Sequence, residues 1–326
     1  MTTPPTWKLW TALGIVYVVW GSTYLAIRYV VESLPPLLSA SVRFSLAGLV
    51  LATYLVVRRG RRALIATRRQ YANAGLVGLL LLLGGNGGVT LAEQRGLPSG
   101  LAALLVAAVP LWVVLLRLLD RDRPAVTTLV GVSIGFVGLV VLLRPDARPA
   151  DVSVGSAALV IGSSLLWSIG SYLATRMDLP REPLVASVAE MAGGALGLGL
   201  VGLLRQETVV WSEVQASSVI ALGYLVVFGS LVAFTAYSWL LAVAPVSKVA
   251  TYAYVNPVVA VLLGALFVGE DLSAASVVGG GMTLLAVAVV VTAESRRRGK
   301  EQLVVPADAP AQSPDDVQGR ERSSAT

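Results

Sequence analysis

Apolar residues in this chain fall into ten long runs, at residues 9–27, 37–57, 72–92, 99–119, 126–143, 154–174, 184–204, 217–242, 249–268 and 273–293. Each is close to the roughly 20 residues an α-helix needs to cross a bilayer. The pattern predicts an all-α integral membrane protein of ten transmembrane helices. Pro35, Pro36, Pro98, Pro124, Pro149, Pro183 and Pro245 fall at or near the predicted helix starts, where a missing N–H costs little. Residues 294–326 turn polar and rich in Pro and Ser, a composition that predicts a disordered tail. Before the first run stand one lysine, Lys8, and no small-residue cleavage motif. That run is therefore read as a retained span and not as a cleaved signal peptide.

Composition agrees. Of 326 residues, 56% are hydrophobic and 13% charged, whereas a soluble domain carries about a quarter charged. The chain has no Cys and no His, which excludes disulfides, thiol nucleophiles, Ser–His triads, His-bearing metal sites and His proton relays. No cofactor or metal is expected. The net charge of +6 does not point to nucleic acid, because the basic residues sit between the apolar runs. One side of the predicted topology collects Lys8, Arg58, Arg59, Arg61, Arg62, Arg68, Arg69, Arg121, Arg123, Arg176, Arg181, Lys248, Arg296, Arg297, Arg298 and Lys300. The other holds only Arg28, Arg95, Arg144, Arg148 and Arg205. Sixteen against five predicts that both termini are cytoplasmic.

The chain also repeats itself. Trp20 returns as Trp167, Pro98 as Pro245 and Pro110 as Pro257, all at an offset of 147, and Tyr24 returns as Tyr172 at 148. The segment Gly21–Arg28 (GSTYLAIR) reappears as Gly170–Arg176 (GSYLATR), one residue shorter. Two repeats are predicted, at 9–144 and 154–293, with five spans each. Because five is odd, the second must enter the membrane from the opposite face. Inverted repeats are a common transporter architecture, with a binding site near the midplane between the halves.

Several residues within the spans could carry chemistry. Pro110 and Pro257 lie inside apolar runs and free the carbonyls of Val106 and Ala253. A freed carbonyl at membrane depth needs protein or a watery cavity beside it. Tyr252, Tyr254 and Asn256 flank the second break, so helix nine is expected to be a cavity wall. Trp20 sits about 16 Å into its helix, and Trp167 is placed similarly. A midplane Trp beside Gly and Ser suits a substrate stacking surface, though ordinary helix packing would explain it too. Asn86, within Gly84–Gly88 (GGNGG), offers donor and acceptor where glycines permit close approach. Arg43 and Glu190 lie within spans at the same 147 offset with opposite sign. Ionisable residues in a membrane are costly and are functional candidates by default. Glu190 is the candidate for proton coupling and Arg43 for holding geometry, with a purely structural role open for both.

The segments Trp20–Tyr24 (WGSTY), Pro35–Leu37 through Val42–Phe44, Gly85–Gly87, Pro98–Ala102, Ser230, and Tyr252–Val261 with Gly269-Glu270 together resemble the EamA family of the drug/metabolite transporter superfamily, and within it the YedA-type permeases. The resemblance covers about residues 9 to 293. It implies ten helices in two five-helix repeats, cytoplasmic termini and a central cavity lined mainly by helices one, three, four, six, eight and nine. It also implies export of amino acids, other metabolites or drug-like molecules. An acidic residue ends the fourth repeat helix in this family; Glu270 supplies it in the second half, while the first half reads Asp120-Arg121-Asp122-Arg123. The expectation is a plasma-membrane secondary transporter, not an enzyme, exporting small organic metabolites by proton-coupled alternating access. Its partners are the substrate and the lipid bilayer; monomer and homodimer stay open. The competing expectation is a membrane-embedded receptor or scaffold, which would have a centre filled by Leu and Phe and no path for solvent.

Overall fold

A computed structural model describes residues 5–119, 125–142, 144, 153–269 and 273–303, and every regular element among them is helical. Eight helices are long and apolar enough to cross a membrane. They are α1 (Thr6–Val31), α2 (Pro36–Arg59), α3 (Arg68–Gln94), α4 (Ser99–Leu119), α6 (Val154–Ala174), α7 (Pro183–Leu204), α8 (Ala216–Val243) and α10, whose apolar part is Ala274–Ala293. Two shorter apolar helices complete the order, α5 (Val126–Leu142) and α9 (Tyr252–Val268). Asp120, Arg121, Asp122, Arg123, Arg148, Glu270 and the chain after Leu303 lie outside the described residues. Helix α10 itself runs on to Leu303, past Ala293, where the apolar run ends.

Local chemistry sets the helix starts. Pro36 and Pro183 occupy the first turns of α2 and α7. Thr67 and Gln70 form a reciprocal capping box on α3, and Ser153 Oγ accepts the Ser156 N–H at 3.1 Å to cap α6. Glu207, just beyond α7, reaches the start of α2, where its carboxylate accepts the N–H groups of Leu37 and Leu38 at 2.9 and 3.0 Å. A carboxylate there satisfies orphan donors and complements the helix dipole.

The breaks expected at Pro110 and Pro257 differ from each other. In α4 the helix is interrupted at Ala107-Ala108, and Pro110 sits in the first turn of the segment Val109–Leu119. Near the start of α9 the interruption is at Ala250-Thr251, after a short turn Val246–Val249, and the helix runs unbroken through Pro257. The Asn256 amide, oriented to donate, bonds the Tyr252 carbonyl at 3.2 Å and the Tyr17 carbonyl of α1 at 2.9 Å. It ties the first turn of α9 to α1.

Helices α3 and α8 each contain a wide-turn (π) stretch, Leu79–Gly87 and Leu225–Val232. Their starts and ends differ by 146 and 145 positions, close to the offset of the sequence repeat. Such turns are rare and gather at functional sites. Packing follows the same correspondence: α1 lies on α8 and α9, while α6 lies on α3 and α4; α2 pairs with α7 and α5 with α10. Glycine brings α3 and α7 together. A Cβ on Gly78 would lie 1.9 Å from the Glu190 carbonyl oxygen, and one on Gly193 would lie 2.6 Å from Gly75 Cα. Large apolar residues such as Leu49, Val57, Leu196, Leu203 and Leu266 face outward, as a chain surrounded by lipid requires.

Candidate substrate cavity

The middle of the bundle is hollow. A cavity, part of it continuous with the outside, lies between α1, α2, α3, α4, α6, α8 and α9. The solid apolar centre of a scaffold is not what is found. Trp20, Asn86, Trp167, Tyr252, Asn256 and Arg43 all line it, so most of the residues singled out in the sequence are brought together. Val106, the last residue before the α4 interruption, lines it as well. Pro110, Pro257 and Glu190 do not. The Tyr254 side chain lies outside the described residues.

The lining is mainly apolar and aromatic, with a few hydroxyl and amide groups among it. Trp20 is the hub of the aromatic part: its ring meets Trp167 edge-on at 5.3 Å and Tyr252 edge-on at 5.4 Å, and tilts against Tyr237 at 4.8 Å. Its indole N–H donates to the Gly229 carbonyl in the wide-turn stretch of α8, at 3.2 Å. Tyr237, deep in α8, organises the second tryptophan. Ser171 Oγ donates to the Trp167 carbonyl at 2.8 Å. Its single proton is thereby used, so in the 2.7 Å Ser171–Tyr237 contact the tyrosine donates. The Tyr237 oxygen then accepts the Trp167 indole N–H at 3.1 Å. Beyond this cluster, Tyr17 and Thr251 join α1 to the Ala250-Thr251 interruption through their hydroxyls, 2.5 Å apart. Thr23, Ser163 and Ser164 complete the polar lining.

The two charges in equivalent positions do not pair. Arg43 is 4% exposed and donates from Nε to Ser230 Oγ at 2.8 Å; its guanidinium carbon sits 4.6 Å over the Phe44 ring. Glu190 is 3% exposed and accepts from Ser238 Oγ at 2.8 Å, away from the cavity wall. Both serines belong to α8, eight residues and so about 12 Å apart along the axis. A second carboxylate, Glu93 in the last turn of α3, is fully buried as well.

Sequence reasoning missed Thr23, Tyr24, Ser163, Ser164 and Tyr237. A signal for the first four was available. Trp20, Thr23, Tyr24 and Ile27 recur at the three- and four-residue spacing of one helical face, and Ser163 lies four before Trp167. Tyr237 has no such marker, since only the packing of α8 on α1 brings it to the tryptophans. Among the described residues no cluster of acidic side chains could hold a metal ion.

A multi-helix membrane protein with a mixed aromatic and polar hollow at its centre is the form of a small-molecule transporter. The family profile of EamA-like transporters matches residues 7–144 and again 155–292. The chain belongs to that family. It is 38% identical over 282 residues to the inner membrane transporter YedA of Escherichia coli K12, covering 86% of this chain and 90% of that one. A transporter of Archaeoglobus fulgidus is 23% identical over 287 residues, covering 87% and 99%. A Salmonella typhimurium protein named as an amino-acid metabolite efflux pump is 22% identical over 274 residues, covering 81% and 88%. One crystal structure superposes with a TM-score of 0.63 at 21% identity over 87% of this chain and 96% of the other, a likeness of fold.

Proposed function

We propose that the protein exports small organic metabolites across the bacterial inner membrane by alternating access, driven by the proton gradient. Both termini lie in the cytoplasm, and the two five-helix halves at 9–144 and 154–293 are inverted relative to each other. The observation that carries this reading is the central hollow, to which both halves contribute a tryptophan at equivalent positions, Trp20 and Trp167. Trp20, Asn86, Trp167, Tyr252, Tyr254 and Asn256 contact the substrate, and Glu190 carries the coupled proton. The inner-membrane assignment and the export direction are drawn from the names of the relatives above. The test is export from cells and flux in reconstituted vesicles. Trp20→Ala and Asn256→Ala should abolish both while membrane insertion is kept; normal flux in the two variants would remove this hollow as the route.

A further inference from the structure

Resting on the transporter reading, we propose that the cavity receives organic carboxylate anions, with the Arg43 guanidinium as the receptor for the carboxylate. Arg43 is the only Lys, Arg, Asp or Glu among the described residues lining the cavity, and these give the hollow one formal positive charge. Among the described residues no carboxylate lies within ion-pairing distance of it. The nearest equivalent, Glu190, is held by Ser238, about 12 Å further along α8 than Ser230. Arg43 has five N–H donors. The Nε–H bonds Ser230, which fixes the plane of the guanidinium, and among the described residues the four N–H groups of the terminal nitrogens have no protein acceptor. Gly229 keeps the space beside Nη2 clear, since a Cβ there would approach it to 2.8 Å.

A buried charge without a counter-ion is expensive, and the planar fork of a guanidinium matches a carboxylate in two parallel bonds. A ligand that brings the anion completes the arrangement. The rest of the lining suits its body: Trp20, Trp167 and Tyr252 offer ring faces and edges. Asn86 Oδ1, buried and without a hydrogen-bond partner, is an acceptor for a hydroxyl or N–H of the same ligand. The polar groups are few and convergent, which is how such cavities fix orientation.

The test is binding to the purified full-length protein in detergent, read by tryptophan fluorescence quenching, with three matched probes: 3-phenylpropanoate, its neutral amide, and 3-phenylpropylamine. The anion should bind roughly tenfold or more tightly than the amide, the advantage of a charge-assisted pair, and the amine weakest. Arg43→Gln should bring anion and amide to equal affinity without weakening the amide. Arg43→Lys, which keeps the charge and loses the fork, should restore part of the preference. Equal affinities for anion and amide in the unaltered protein, or an anion preference that survives Arg43→Gln, would overturn the assignment. So would equal loss of all three probes in Arg43→Gln, which marks a purely structural residue. The experiment is separable from the transport test: charge-selective binding without flux would keep this assignment and remove transport, and flux without charge selectivity would do the reverse.

Discussion

Tyr237→Phe deletes one hydroxyl from beneath the cavity and tests whether Trp167 is held by the network that surrounds it. The change leaves the ring, and so its contacts with Trp20, Trp167 and Tyr252 at 4.8, 5.6 and 5.9 Å, in place. What it removes is the acceptor of the Trp167 indole N–H at 3.1 Å and the donor to Ser171. Ser171 keeps its own bond to the Trp167 carbonyl, so the losses are the acceptors of the half-buried indole N–H and of the Tyr252 hydroxyl. Stranding a buried donor costs about 1–3 kcal/mol in soluble proteins, but side-chain hydrogen bonds between membrane helices average nearer 0.6 kcal/mol. About 1 kcal/mol is therefore expected. A double-mutant cycle isolates the indole's share: in a Trp167→Phe background no indole N–H exists, and the cost of Tyr237→Phe should fall to that of its bond with Tyr252. The assay is equilibrium unfolding in mixed micelles, with flux measured in parallel, because a freed Trp167 ring no longer shapes the cavity wall. A coupling energy indistinguishable from zero, with each single variant destabilised, would mean that the hydroxyl does not hold the indole and that the proton assignment is wrong.

Gly78→Ala must push its new methyl into the Glu190 carbonyl oxygen 1.9 Å away; parting α3 from α7 should cost about 1–3 kcal/mol of overpacking. Gly75→Ala, with nothing within 4 Å of its Cβ, should be neutral or slightly stabilising in the same unfolding assay, and equal effects of the two would refute the close crossing. Glu207→Ala removes the acceptor of two N–H groups at the start of α2 and should cost about 1 kcal/mol, with Glu207→Gln recovering part; hydrogen exchange of the first turn of α2 should rise in the alanine variant. If Glu190 carries the coupled proton, Glu190→Gln keeps an acceptor for Ser238 but cannot ionise. Flux down a substrate gradient should persist while its response to an imposed pH gradient disappears, and an unchanged pH response would leave Glu190 a structural residue.

Most of the helical layout was legible because its signal is coarse. A run of about 20 apolar residues has no alternative to a spanning helix, and all ten runs correspond to helices among the described residues. The cavity was partly legible for a different reason. Trp20, Asn86, Trp167 and Asn256 stand out because large amphipathic or amide side chains are unusual in mid-span. Thr23, Ser163 and Ser164 do not stand out, because a hydroxyl can satisfy itself within its own helix, as Thr23 does on the Trp20 carbonyl and Ser164 on that of Ile161. Whether such a residue faces lipid, a neighbour or a hollow is decided by packing. The proline breaks illustrate the same limit. The sequence locates the weakened turn but not which turn opens: α4 opens just before Pro110, while α9 runs unbroken through Pro257 and is preceded by an opening at Ala250-Thr251.

The relation between Arg43 and Glu190 shows why opposite charges at equivalent positions need not neutralise each other. In a soluble core two such residues would be drawn into one ion pair. Here each must be accommodated separately, since they contact α8 about 12 Å apart in depth. A lone charge in this setting needs a local dipole, and α8 supplies both, Ser230 for the cation and Ser238 for the anion. Ser230 lies inside the wide-turn stretch Leu225–Val232, and Ser238 lies in the regular helix after it. The two anchors are thus separated by the junction at which α8 changes its winding. A shift of that junction by one residue would rotate the serines relative to each other and change the setting of Arg43 and Glu190 together. The helix that carries both hydroxyls is one route by which cavity and buried carboxylate can be linked, beside the direct packing of α2 on α7. A Ser230→Ala variant that altered the pH response of flux without touching Glu190 would reveal that link, and an unaltered response would sever it.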